Sequence, residues 1–333
     1  MDTATMQEER SRVIEKYGAW TDHNVRLADD VYTIDAKKYS DKLGRIVQLV
    51  SDLAGVPLCG LRILDLACLE GGYAIEFARQ GATAVGIEGR EASVMKARFV
   101  KRALGLDNLE FFQDDIRNLT KERYGEFDVV LCLGVFYHLD APHVFRFAEQ
   151  IAEVCKRFAV FDTHVSFVRE TSYSYKGAQY WGRNVVEHDP ESTKEERIED
   201  LWASLDNITA VWPTMNSLLN LLDFAGFTSV HQCHVPVELA KPADRVTLAA
   251  FKGTRPTILS TPILNEMPIN QLPENFQQEV SPQQLRFYEA SKRMRFLLPR
   301  KLRRAVKSLM RSTGLVKKEL EPWEREWKKR HLD

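Results

Sequence analysis

Residues 62–90, RILDLACLEGGYAIEFARQGATAVGIEGR, constrain this chain more than any other stretch. Apolar strand character over 62–66 runs into a tight acidic turn containing Gly71 and Gly72. A helical segment over 72–80 follows, then a strand over 83–87 that ends at an acid, Glu88. Strand, turn, helix and strand in that order predict a βαβ crossover in a parallel sheet. Such a unit holds a nucleoside at the carboxyl edge of the sheet, above the first turn, with Glu88 placed for the ribose hydroxyls. The turn disfavours a dinucleotide and leaves a nicotinamide oxidoreductase a distant reading. A pyrophosphate site wants Gly at three places, and the corresponding positions are Ala67, Leu69 and Gly72. Leu69 crowds a pyrophosphate, and Asp65 and Glu70 repel one. The same carboxylates suit a ligand that carries an ammonium and a sulfonium.

S-adenosyl-L-methionine is such a ligand, and residues 62–90 resemble motif I and the acidic loop of class I S-adenosylmethionine-dependent methyltransferases. The family pattern is an acid followed by three alternate small residues. Here they are Asp65, then Ala67, Leu69 and Gly71, so two of the three glycines are replaced. FFQDDIRNL (111–119) is similar to the segment whose acid meets the adenine amine; Asp115 aligns best, with Asp114 before it and Ile116 after it. FDVVLCLGVFYHL (127–139) resembles the fourth strand and the loop that faces the transferred methyl, with Leu133 and Gly134 at the cofactor. The resemblance implies a Rossmann-like, doubly wound, seven-stranded α/β core over 45–253 and S-adenosyl-L-methionine as cofactor. YGAWTDHNVRLADDVYT (17–33) and PTMNSLLNLLDFAGFTSV (213–230) resemble the branch containing the tRNA wobble-uridine carboxymethyl-transferring enzymes.

The rest of the chain reads as additions to that core. Residues 1–44 predict a helical arm, with Trp20, His23 and Asn24 in a dense polar-aromatic cluster. Strand–helix alternation stops after 166. Residues 167–212, with Tyr173, Tyr175, Tyr180, Trp181, Trp202 and Trp212, predict an inserted substrate lid. Thr193-Lys-Glu-Glu196 has the spacing of a capping box. A helix over 214–225 and two strands over 228–235 and 245–252 close the core. Prolines punctuate a linker over 254–283, and a basic helical tail occupies 284–333.

Two histidines, His138 and His164, follow strand ends at the ligand edge, where either can take a proton from a hydroxyl nucleophile. Asp162 is placed to orient His164 or to bind the acceptor. No metal-ligand spacing links these residues. Five scattered cysteines without a CxxC pair fit a reducing compartment. No run reaches the ~18 apolar residues of a membrane span. The run 292–318 holds eleven Lys/Arg and no acid, which suits an anionic membrane surface or an RNA backbone. The expectation is a cytoplasmic methyltransferase, peripheral to the inner face of a membrane if the tail binds lipid. Its acceptor is a small or medium hydroxyl compound: a sugar, glycolipid precursor or secondary metabolite. The rivals are a tRNA-modifying enzyme and a nucleoside-binding protein without catalysis.

Overall fold

A computed structural model describes residues 3–36, 40–238 and 241–254. The linker beyond 254 and the basic tail, including 292–318, lie outside the described residues. The elements are α1 (Thr3–Tyr17), β1 (Arg26–Ala28), β2 (Val31–Tyr32), α2 (Asp41–Ala54), β3 (Arg62–Leu66), α3 (Gly72–Arg79), β4 (Thr83–Glu88), α4 (Glu91–Leu104), β5 (Leu109–Gln113), α5 (Lys121–Tyr124) and β6 (Phe127–Leu133). They continue with α6 (His143–Val154), β7 (Cys155–His164), β8 (Thr171–Tyr175), β9 (Ala178–Val186), α7 (Lys194–Glu199), β10 (Thr209–Pro213), α8 (Met215–Phe224), β11 (Ser229–Gln232) and β12 (Arg245–Phe251).

Seven strands form one sheet in the order β11-β12-β7-β6-β3-β4-β5. The five from β5 to β7 run parallel, and β12 and β11 are antiparallel. This is the doubly wound sheet that the strand–helix alternation predicts. Parallel strands are buried on both faces, and β6 illustrates it. Val130 and Cys132 join a cluster with Phe147, Phe161 and Leu218, while Val129 and Leu131 join one with Ile46, Phe77 and Val160. The winding reverses between β3 and β6, and ligands bind outside the carboxyl ends of strands at such a point.

Two additions bracket that edge. The arm, α1 with the β1–β2 hairpin, packs Met6, Trp20, Val25 and Leu27 against Val94, Ala97 and Phe99 of α4. The insertion is more ordered than a simple lid. Three antiparallel strands, β10-β9-β8, make a second sheet, and the expected capping box at Thr193 and Glu196 opens α7. Most of its aromatic residues are packing. Tyr180 and Trp212 are buried, and Tyr175 stacks on Phe145 at 5.3 Å. Trp202 is the large exposed exception, at 66%. The sequence shows the aromatic content of this stretch but not its strand pairing, because short strands on a borrowed core carry little periodicity.

Candidate functional site

The turn after β3 has an unusual backbone. Ala67, Leu69 and Gly71 have φ of 51°, 51° and 79°. Alternate left-handed residues curl the chain back so that its N–H groups face inward, and only Gly enters that region without cost. The two non-glycines are held there by tertiary bonds. The Leu69 N–H donates to Glu88 Oε2 at 2.9 Å, and Cys68 N bonds the Ile87 carbonyl at 3.0 Å. At Gly71 a Cβ would stand 2.5 Å from the Phe111 ring, so this position admits no side chain.

Asp65 ends β3 beneath the turn and is 2% exposed. Its Oδ2 accepts from Ala74 N at 3.2 Å. Burial pushes its carboxyl up to about 7; the Ala74 N–H opposes the rise and the Glu88 charge adds to it. Glu88 is 3% exposed and accepts from Leu69 N and, at 2.9 Å, from Arg90 N. Two of a carboxylate's roughly four lone-pair positions are thereby used.

Glu70 corrects an expectation. It does not face a ligand ammonium. Its carboxylate is buried against Lys96 Nζ at 2.7 Å and accepts from Thr21 N, Asp22 N and His23 N at 2.8–3.3 Å. Burial disfavours the charged form, but Lys96 and these donors hold its pKa below the usual range. Glu70 therefore staples the arm to the turn. His23 Nδ1 then accepts the Gly72 N–H at 3.0 Å, and its ring fills the space that a Cβ on Gly72 would need.

Asp114 and Asp115 are both committed to protein partners. Asp114 accepts from Asn118 Nδ2 and Arg123 Nη2, each at 2.9 Å, and from the Tyr124 hydroxyl. Asp115 caps the turn Ile116–Asn118 and holds the Arg117 guanidinium, which also reaches Asp206 at 2.7 Å. The insertion thus reaches the loop that follows β5. Arg90 ties it down again, donating to the carbonyls of Ile198, Asp200 and Ala203 at 2.8–3.0 Å. Leu133 and Gly134 end β6; Gly134 has φ 90°, and its N–H bonds the Asp162 carbonyl at 2.9 Å.

Both candidate histidines carry a carboxylate partner that the sequence did not reveal. His138 Nδ1 lies 2.7 Å from Glu187 Oε2, and Glu187 also accepts from Ser204 N at 2.8 Å. His164 Nδ1 lies 3.1 Å from Asp244 Oδ1. The two rings meet Tyr137, with centroids 4.2 and 4.7 Å from it. His164 also stacks on Trp212 at 4.4 Å. His138 Nδ1 is thus hydrogen-bonded to a buried acid, and a second buried acid lies beside His164 Nδ1.

Asp162 is the second correction. It does not orient His164; Asp244 does. Asp162 is fully buried, and Lys42 Nζ, Lys241 Nζ, Arg245 Nε and Thr247 Oγ1 surround it at 2.6–2.9 Å. Burial opposes its ionisation, but Lys42, Arg245 and Lys241 outweigh that and hold the carboxyl far below its ordinary range. It cannot serve as a base near neutral pH. Asp244 and Arg245 open the last core strand beside β7, a position that could have flagged them. Glu187 sits in the insertion, where no pattern marks it.

Residues 63–157 match a family described as a methyltransferase domain. The N-terminal domain of EvdMO1, solved in the presence of SAH and D-fucose, superposes with a TM-score of 0.58 at 24% identity over 75% of this chain and 97% of that one. Residues 63–157 thus carry a methyltransferase domain on a Rossmann-like sheet. A stretch of 110 residues is 30% identical to the ubiquinone biosynthesis O-methyltransferase of Acinetobacter baumannii (strain AYE), covering 33% of this chain and 44% of the relative. A further 77-residue match, 36% identical, is to the 23S rRNA (uracil(1939)-C(5))-methyltransferase RlmD of Shewanella halifaxensis, over 22% of this chain and 17% of that one. The chain spans less than half the length of these curated relatives. The arm and the insertion lie outside residues 63–157. Among the described residues no helix is long and apolar enough to cross a membrane, and no group of three or more His, Cys, Asp or Glu could hold a metal.

Proposed function

We propose that this protein transfers a methyl group from S-adenosyl-L-methionine to a hydroxyl of a small or medium acceptor, such as a sugar, a glycolipid precursor or a secondary metabolite. The observation that carries the reading is the pair of histidine–carboxylate couples, His138–Glu187 and His164–Asp244, meeting at Tyr137 beside Gly134. The sulfonium is already an activated electrophile, so the protein must align oxygen, methyl carbon and sulfur and exclude water. A hydroxyl must also lose its proton, and an imidazole with one nitrogen fixed by an acid can take it. The oxygen–carbon bond forms as the carbon–sulfur bond breaks, the electron pair stays on sulfur, and the proton ends on the histidine.

In this reading Ala67, Leu69 and Gly71 line the methionine end of the cofactor and Asp65 meets its ammonium. Glu88 takes the ribose, Ile116 and the backbone of Asp114 and Asp115 lie along the adenine, and Leu133 and Gly134 flank the methyl. The reading places the protein in the cytoplasm, in keeping with five free cysteines. The run 292–318 then serves a membrane or RNA contact. A second reading, a tRNA-modifying enzyme, draws on the likeness of 17–33 and 213–230 to that branch and on the same basic run.

The test is transfer of a labelled methyl from S-adenosylmethionine to a panel of hydroxylated acceptors and bulk tRNA. Alanine at the histidine that acts as base should lower kcat by ~10²–10⁴ with SAH affinity unchanged. If both single variants keep near-normal turnover, the assignment of a base is wrong.

A further inference from the structure

We infer that the acceptor carries an anionic group, a carboxylate or a phosphate, and that Lys42 and Arg245 bind it. The inference rests on the methyltransferase reading above and concerns the other substrate of the same site. Lys42, Lys241 and Arg245 converge on one carboxylate, Asp162. Glu238 adds a second carboxylate, 3.0 Å from Lys241 and 3.6 Å from a fourth cation, Arg45. Four cations against two carboxylates leave an excess of two positive charges in a partly dry cluster. Arg45 is settled, because the carbonyls of Cys233 and Pro236 and the Thr247 hydroxyl take its donors. Lys241 is settled too, because its three N–H donors go to Asp162, Glu238 and the Thr247 hydroxyl; the excess therefore rests on Lys42 and Arg245. Uncompensated charge away from water is costly, and an anion offsets it.

Position makes that anion a ligand. Asp162 is closed off from solvent, but Lys42, Lys241 and Arg245 keep side-chain exposures of 27%, 18% and 18%. The cluster's outward face carries these cations with one carboxylate, Glu238, beside Lys241. Arg245 spends its Nε on Asp162. Its Nη2 lies 3.3 Å from where a Cβ on Gly134 would stand, and its guanidinium carbon is 5.5 Å from the centre of the Tyr137 ring. Burial pushes the Tyr137 phenol up, and the Arg245 charge beside it opposes the rise. The planar fork of an arginine matches a carboxylate or phosphate in two parallel hydrogen bonds.

Tyr137 decides which substrate supplies the anion. The ring that Arg245 approaches is the ring that both histidines touch. The cations and the proposed base thus share one wall. A hydroxy acid, an acidic sugar or a sugar phosphate can place its hydroxyl at a histidine and its anion at Arg245. The cofactor's own carboxylate has the same chemistry, and the experiment must separate the two sources.

The full-length protein is first tested for SAH binding by calorimetry, which judges the underlying reading alone. It is then titrated with inorganic phosphate at constant ionic strength, with and without saturating SAH. Saturable phosphate binding is expected, weakened about tenfold or more in Lys42→Met and in Arg245→Met, the loss of one charge-assisted contact. The exposed control Arg26→Met should leave it unchanged. Lys42 lies at the rim, so its variant reads the site even if Arg245→Met fails to fold. Absence of saturable phosphate binding overturns the inference. So does weakened binding of S-adenosylmethionine in Lys42→Met with unchanged binding of its decarboxylated form, because the cations would then hold the cofactor's carboxylate. If SAH fails to bind while phosphate binding follows these variants, the anion site stands and the methyltransferase reading falls.

Discussion

Two aspartates at one sheet edge, Asp65 on β3 and Asp162 on β7, show how differently this edge treats the same residue. Both are buried at strand ends. Asp65 has the Ala74 N–H and, among the described residues, no ion pair, and burial pushes it up to about 7. Asp162 has three cations and is held ionised far below its usual range. Under the proposed function the difference separates two kinds of site. The proposed cofactor side keeps a buried carboxyl beside a backbone N–H. The proposed acceptor side gathers four cations around two carboxylates. Each side's ligand would then bring the opposite charge.

The largest expected effect tests the acceptor side. Asp162→Ala leaves Lys42, Lys241 and Arg245 buried without their shared anion and should destabilise the fold by about 3–5 kcal/mol in denaturant unfolding. A loss under 1 kcal/mol would show that water already screens those cations, and the contrast with Asp65 would collapse.

Next is the staple between arm and turn. Lys96→Met strands the buried Glu70 with only its N–H donors, at a cost of about 3 kcal/mol. Arm residues 19–23 should lose hydrogen-exchange protection before the sheet does. Uniform loss of protection would mean that the arm is not a separable unit.

On the cofactor side, Glu88→Ala should weaken SAH binding by ~1–3 kcal/mol through lost charge-assisted ribose contacts, measured by calorimetry. No binding by the folded wild type would sink the cofactor reading itself.

Asp65 gives a pH dependence with a definite sign. Its folded pKa is raised from 3.8 to about 7, so the native state holds a proton that the unfolded state has lost within that window. Stability of the free protein should therefore fall as pH rises from about 4 to about 7 and level off above. A ligand ammonium favours the carboxylate, so cofactor binding below pH 7 should release a proton and tighten as pH rises. Calorimetry at about pH 6 in two buffers of different ionisation enthalpy reads that proton. Its persistence in Asp65→Asn would assign it elsewhere.

The smallest effect concerns strain in the turn. Leu69→Gly relieves a left-handed leucine worth about 1–2 kcal/mol but loosens the unfolded chain by nearly as much. Stability should change by less than about 1 kcal/mol. A larger loss would mean that the Leu69 side chain, not its backbone, holds the turn.

Some of this was legible in the chain alone. Hydrophobic runs bounded by turns give the seven strands and their alternation with helices, because burial on both faces of a parallel sheet writes itself into local composition. The acid at 65, the spacing 67-69-71 and the acid at 88 mark the cofactor turn for the same reason: one continuous unit builds it. The partners of the chemistry were not legible. Glu187 reaches His138 across 49 positions, Asp244 reaches His164 across 80, and Arg245 reaches Asp162 across 83. Glu70 likewise turns from the ligand to the arm, 47–49 residues earlier. Sequence spacing encodes contacts within an element or between successive ones. Which charge neutralises which is decided where distant strands end side by side, and only the folded sheet brings those ends together.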